Sequence, residues 1–189
     1  MEPIFTIQYG EFAVADYLAK TKELKGTSVF IPSSRQEKGI DLLLYRFQNG
    51  SSKILTVQVK MSRTYYPDKA VRPTTKRFPY YLWFNRFTPQ DNADWFILVG
   101  IYARHAKSRA KAKANSTKWD TIMLAFTHDE MVDFMNNLKQ KTTGKADSSF
   151  GFGFDDNRSI FQTRGSVAIA DMNNRLIEKR INEILNSFH

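Results

Sequence analysis

Two short β-prone runs, Gly39 to Arg46 and Lys53 to Met61, flank Asn49-Gly50. Asn-Gly between such runs is the strongest short-range signal for a hairpin. With a two-residue turn, antiparallel partners have numbers that sum to 99, so Asp41 lies opposite Gln58 and Gly39 opposite Lys60. A four-residue loop, Asn49 to Ser52, would instead pair Asp41 with Lys60. In either register the strand period of two puts Asp41, Gln58 and Lys60 on one face. The reverse face carries Ile40, Leu42 and Leu44 against Leu55, Val57 and Val59, and is apolar throughout. A core-facing apolar side backed by a carboxylate, an amide and an ammonium reads as a site.

The rest of the chain supplies elements around this hairpin. Tyr9 to Lys25 predicts a helix, because Glu11, Val14, Ala15 and Leu18 recur at helical spacing on one face. Phe12, Tyr17 and Leu24 widen its apolar side, and Glu11 is either a first-turn acid favoured by the helix dipole or a carboxylate facing the protein. Gly26 stops the helix, and Thr27 to Ile31 is a short strand ended by Pro32. Pro32 to Gly39 is polar and turn-forming, with Gly39 leaving room for another backbone or a phosphate to approach. Met61 to Pro79 is a proline-rich, basic excursion, and Tyr80 to Phe87 a strand with aromatic residues on both faces. Asp94 to Ala103 and Thr121 to Phe126 predict buried strands. Thr127 and Glu130 form a capping box that opens a helix through Lys139. Thr142 to Asn157, including the GFGF run at 151–154, reads as a surface loop, and Ser159 to Thr163 as a short strand. Val167 to Phe188 predicts one last helix, whose apolar stripe either covers the sheet or forms a dimer face, the first being favoured.

Composition narrows the class. The chain has 189 residues, 42% of them apolar, enough for a single domain with its own core. No run is long and apolar enough for a membrane helix, the first twelve residues lack the pattern of a secretory signal, and there is no cysteine. That excludes a disulfide framework and Cys-ligated zinc, and suits a cytoplasmic protein. The net charge is +9, but the positive charge is concentrated. Lys60 to Arg86 holds seven basic residues against one acid, and Ile101 to Lys118 six against none. Arg104 to Lys118 has no apolar face to dock and is expected to order on a partner. Concentrated positive charge points to a polyanion, with nucleic acid the commonest. Basic residues interleaved with Tyr65, Tyr66, Phe78 and Tyr80 suit phosphate contact plus stacking, although packing explains such aromatic residues as well.

Three pieces in order, Gly10-Glu11 with Val14-Ala15 and Leu18, then Gly39-Ile40-Asp41, then Gln58-Val59-Lys60, resemble the PD-(D/E)xK nuclease superfamily. The likeness is greatest to its Holliday-junction-resolvase and Mrr-like branches, and covers about the first 62 residues. It implies an α/β (α+β) domain spanning 1–189, with a restriction-endonuclease-like αβββαβ core over about 9–140, a mixed sheet flanked by helices, basic loop insertions and a C-terminal helix over about 167–188. It implies a DNA endonuclease of restriction or repair that uses Mg²⁺ or Mn²⁺. Asp41 would be the central metal carboxylate, Glu11 would bind the metal directly or through water, and the Val59 carbonyl would be a further ligand. Lys60 would activate the attacking water and stabilise charge at the phosphate. Gln58 stands where most members have Asp or Glu; its carbonyl can still ligate a hard cation, with one negative charge fewer. That loss leaves open a binding-only module of the same fold. Arg63, Arg72, Lys76, Arg77, Arg104, Lys107, Arg109, Lys111 and Lys113 are the candidate DNA contacts. Cutting both strands takes two active sites, so a homodimer is a reasonable expectation.

Overall fold

The computed structural model describes residues 3–32, 38–65, 78–103, 119–138, 148–164 and 167–188. Helix α1 (Pro3–Lys20) leads through a short 3-10 turn at Lys22–Leu24 into strand β1 (Thr27–Phe30). Strands β2 (Leu42–Gln48) and β3 (Ser51–Tyr65) form the hairpin. Its register, Leu42 opposite Val57 through Gln48 opposite Ser51, is that of the two-residue turn. Asn49 and Gly50 have φ of 53° and 76°, the paired left-handed conformation a type I′ turn needs.

β3 is 15 residues long and serves three partners. It pairs with β2, then in parallel with β5 (Trp95–Ala103) over Val57–Arg63, and at its end with β4 (Tyr80–Phe84). β5 pairs with β6 (Trp119–Thr127), completing the order β1-β2-β3-β5-β6. A second set of strands runs from β4 through β7 (Phe150–Phe154) and β8 (Ile160–Arg164) to β9 (Val167–Asp171). The architecture is mixed α and β, as expected. The resemblance places a helix between β3 and β5; the described residues of that connection, 78–94, form β4 and a loop.

The two faces of the first sheet carry two cores. One face brings Leu42, Leu44, Val57, Val59, Trp95, Ile97 and Val99 against Val14 and Leu18 of α1. Ile177, Ile181 and Ile184 of α3 (Ile177–Asn186) pack on the same face. The other face brings Phe96, Leu98, Tyr102, Leu124 and Phe126 against Tyr80, Leu82 and Phe84 of β4 and the phenylalanines of β7. Fully burying one such side chain contributes about 1.5–3 kcal/mol, so both layers are held firmly. The C-terminal stripe therefore covers the sheet from Ile177 onward. Its first residues do not continue the helix: Val167–Asp171 is extended and paired with β8, and a 3-10 turn at Asn173–Arg175 separates the two.

The GFGF run corrects the surface-loop reading. It is a central strand with every residue buried, and Phe150, Phe152 and Phe154 fill the core. Its glycines make room on the opposite face. A Cβ on Gly153 would lie 2.2 Å from the Phe78 ring, and one on Gly151 would lie 2.7 Å from Trp83. Phe78 lies against Phe161 and Tyr81, the residues flanking Gly153 in the ladder. The rings thus cover the strand where it has no side chains of its own.

The predicted capping box is present at α2 (His128–Asn136): Glu130 N–H donates to Thr127 Oγ1 at 3.3 Å and Thr127 N–H to Glu130 Oε2 at 2.9 Å. Glu130 also pairs with Arg175, and with Arg180 at 2.6 Å. Burial opposes a charged Glu130, but the Arg175 and Thr127 hydrogen bonds and the two guanidinium charges outweigh it and hold its carboxyl below the ordinary range. A depressed folded pKa stabilises the fold above the unfolded value of about 4.3, and this contribution is lost as pH falls through the folded value. Glu130→Gln is accordingly expected to be less stable at neutral pH and to lose less stability than wild type on acidification. Parallel urea-stability curves for the two proteins between neutrality and acid would contradict the assignment.

Candidate functional site

Asp41 stands one residue before β2 and does two things. Its N–H donates to Val57 O at 2.9 Å, and its Oδ2 accepts the Val59 N–H at 2.8 Å. A carboxylate oxygen thus replaces the ladder partner that Val59 would otherwise need from β2. The same geometry holds the carboxylate on the face that bears Gln58 and Lys60. A residue's N–H and C=O point to the same edge of a strand, so the Val59 carbonyl lies on the Asp41 side.

Asp41, Gln58 and Lys60 line one cavity of about 530 Å³, together with Lys38, Gly39, Met61 and the segment Trp83–Thr88 with Gln90. The register explains the convergence: Gln58 and Lys60 point to the same side as Phe96 and Leu98, where β4 and the segment after it form the facing wall. Gln58 is 3% exposed, and its Oε1 has no hydrogen-bond partner among the described residues. A buried amide oxygen without a donor costs about 1–3 kcal/mol, so this one is matched by a water, a cation or a donor from a ligand in the cavity.

The facing wall is fixed to the site. Ser62, two residues beyond Lys60, receives the Trp83 N–H at 2.9 Å and donates to Trp83 O at 2.9 Å. Trp83 Nε1–H donates to Asn85 Oδ1 at 2.5 Å. Phe84 and Phe87 are both buried, so the turn between them is pinned at each end. Inside that turn Arg86 has φ of 50°, a left-handed conformation of order 1–3 kcal/mol above the ordinary ones for a residue with a Cβ. At the front, Gly39 has φ of 93° and a Cβ there would lie 2.5 Å from Gln90 and 2.7 Å from Asn92. Asn92 Nδ2 donates to Lys38 O at 2.9 Å. The approach Gly39 permits is therefore that of the segment before β5.

The other sequence candidates fall elsewhere. Glu11 is buried in α1, on the side of the sheet where Gly10 packs against Met61, and is not among the residues lining the cavity. Arg63 is exposed on β3, and its position in the strand alternation turns it away from Lys60. Arg72, Lys76, Arg77, Arg104, Lys107, Arg109, Lys111 and Lys113 lie outside the described residues. Lys38, Trp83, Asn85, Arg86, Thr88 and Gln90 were not singled out from the sequence. The polar Asn85-Arg86 step inside an aromatic run was their only signal.

The donors suit a hard cation. Asp41 keeps one carboxylate oxygen beyond its bond to Val59, and Gln58 Oε1 and the Val59 carbonyl add neutral oxygens. Mg²⁺ is satisfied by one or two carboxylates and several waters, so such a set is adequate though weakly charged. No group of three or more His, Cys, Asp and Glu that could hold a metal occurs among the described residues, and no helix among them is long and apolar enough to cross a membrane. In comparisons with known proteins, no family model, no curated protein and no solved structure matches this chain.

Proposed function

We propose that the protein is a metal-dependent DNA endonuclease built on a variant of the PD-(D/E)xK fold, acting in restriction or DNA repair. The observation that carries this reading is the convergence of Asp41, Lys60 and the buried, donorless Gln58 Oε1 on one cavity. Asp41, Gln58 and the Val59 carbonyl would hold Mg²⁺ or Mn²⁺. When bound, the ion supplies a Lewis acid for the phosphate and a more acidic water. Lys60 holds the attacking water and offsets the negative charge that grows on the phosphate oxygens as one P–O bond forms and another breaks. Its place on the cavity face is set by β3, which is hydrogen-bonded on both edges here. The concentrated positive charge of the chain supplies the grip on the polyanion.

A second reading has its own support. Gln58 stands where the resemblance places an acid, and Asp41 is the one carboxylate among the described residues that line the cavity. That favours a nucleic-acid-binding module of the same fold that cuts weakly or not at all. Both readings predict DNA affinity that falls linearly with the logarithm of salt concentration, and a flat dependence would count against both. Cutting in the presence of metal separates them. Gln58→Glu is expected to tighten Mg²⁺ binding measured by calorimetry, because it adds a charge where the orphaned oxygen now sits. Unchanged affinity would remove Gln58 from the ion's surroundings.

A further inference from the structure

The cavity is larger than hydrolysis at one phosphate requires. Its volume of about 530 Å³ lies in the range of sites for whole organic ligands, roughly 300–1,000 Å³. Beyond Asp41, Gln58 and Lys60 it is lined by Lys38, Gly39 and Met61 on the hairpin side and by the wall made by the turn after β4. The one cationic side chain in that wall is Arg86.

Three features together mark Arg86. Its backbone is left-handed, a conformation it shares with Arg158 among the described arginines, although Asn85, a residue that tolerates that conformation far better, stands next to it. The strain is imposed from both sides: Phe84 and Phe87 are anchored in the core, and Phe87 N–H donates to Ser148 O at 2.9 Å. Arg86 is exposed, and its guanidinium makes no hydrogen bond or ion pair with the described residues, whereas Arg158, Arg175 and Arg180 are all paired with carboxylates. An exposed arginine that lines a cavity from a costly backbone conformation and has no partner among the described residues is prepared for an anion, and phosphate matches the planar geometry of its guanidinium.

We infer that Arg86 grips the phosphate next to the one hydrolysed, holding the nucleic-acid chain across the cavity from Lys60. This rests on the nuclease reading for the identity of the ligand. The bonds between Ser62 and Trp83 support the assignment by tying the strand that leads to Arg86 to β3 two residues beyond Lys60. Arg86 is a positioning residue: it touches the chain of the substrate and not the reacting atoms.

The test is binding of a fluorescent duplex oligonucleotide in EDTA by the full chain and by Arg86→Gly and Arg86→Lys, with a melting temperature for each. Glycine suits the left-handed backbone, so Arg86→Gly should melt no lower than wild type. It should bind about tenfold more weakly, the scale of one charged hydrogen bond. Its salt slope should fall by about 0.9, one phosphate contact, and Arg86→Lys should keep most of that slope. In turnover with Mg²⁺, KM should rise more than kcat falls. Wild-type affinity and slope in Arg86→Gly would overturn this assignment alone. A lowered melting temperature with a matching loss of binding would make Arg86 structural and overturn it as well. Wild-type protein that binds no DNA would overturn both the assignment and the reading beneath it.

Discussion

Asp41→Asn is expected to lower metal-dependent DNA cleavage by roughly 10³-fold while leaving the fold and most of the DNA affinity in place. The choice of asparagine follows from the geometry. Asp41 Oδ2 accepts the Val59 N–H, so alanine would strand a backbone donor as well as remove a charge. A buried unmade hydrogen bond costs about 1–3 kcal/mol, enough to blur an activity measurement with a folding defect. The Asn side-chain oxygen can still accept from Val59, and only the charge is lost. Asp41→Ala should therefore be both inactive and less stable, and Asp41→Asn inactive alone. Comparable turnover by Asp41→Asn and wild type would remove Asp41 from the chemistry and leave it a strand-capping residue.

Gly153→Val should have the largest effect on stability. The position is crossed by Phe78, whose ring would lie 2.2 Å from a new Cβ, and that ring is wedged between Phe161 and Tyr81. Overpacking of this kind costs about 1–3 kcal/mol and occasionally more. In a chain of this size each kcal/mol lowers the melting temperature by about 2–4 °C. The cause is checked by a double-mutant cycle: in a Phe78→Ala background the same substitution should cost much less. Additive losses would mean that the glycine is required for the backbone of β7 and not for the ring.

The hairpin was legible because its information is local. Asn49-Gly50 specifies the turn, the turn fixes the register, and the register places Asp41 beside Gln58 with no reference to the rest of the molecule. The capping box at Thr127 and Glu130 was legible for the same reason. What could not be read depends on distant partners. Gly151 and Gly153 look like loop residues until the rings of Trp83 and Phe78 are seen to occupy their places. Val167–Asp171 carries an apolar pattern that extends a helix stripe, and it becomes a strand because β8 offers an open edge. The cavity wall at Trp83–Gln90 is brought to Lys60 by Ser62, a bond no spacing rule foretells. The position of Glu11 on its helix followed from periodicity, but its placement relative to the hairpin depends on how α1 crosses β3, where Gly10 meets Met61, and periodicity leaves that free.

The central claim is that Asp41, Gln58 and Lys60 form a metal-dependent phosphodiester-cleaving centre. Its most direct test is incubation of the purified protein with supercoiled plasmid and with a branched DNA, in Mg²⁺, in Mn²⁺ and in EDTA, with Asp41→Asn alongside. The account predicts nicking or linearisation that requires the metal and is lost in the variant. Tight, salt-sensitive binding with no cutting under any metal would contradict it and leave the binding module, with Gln58 in place of an acid as the first cause to examine.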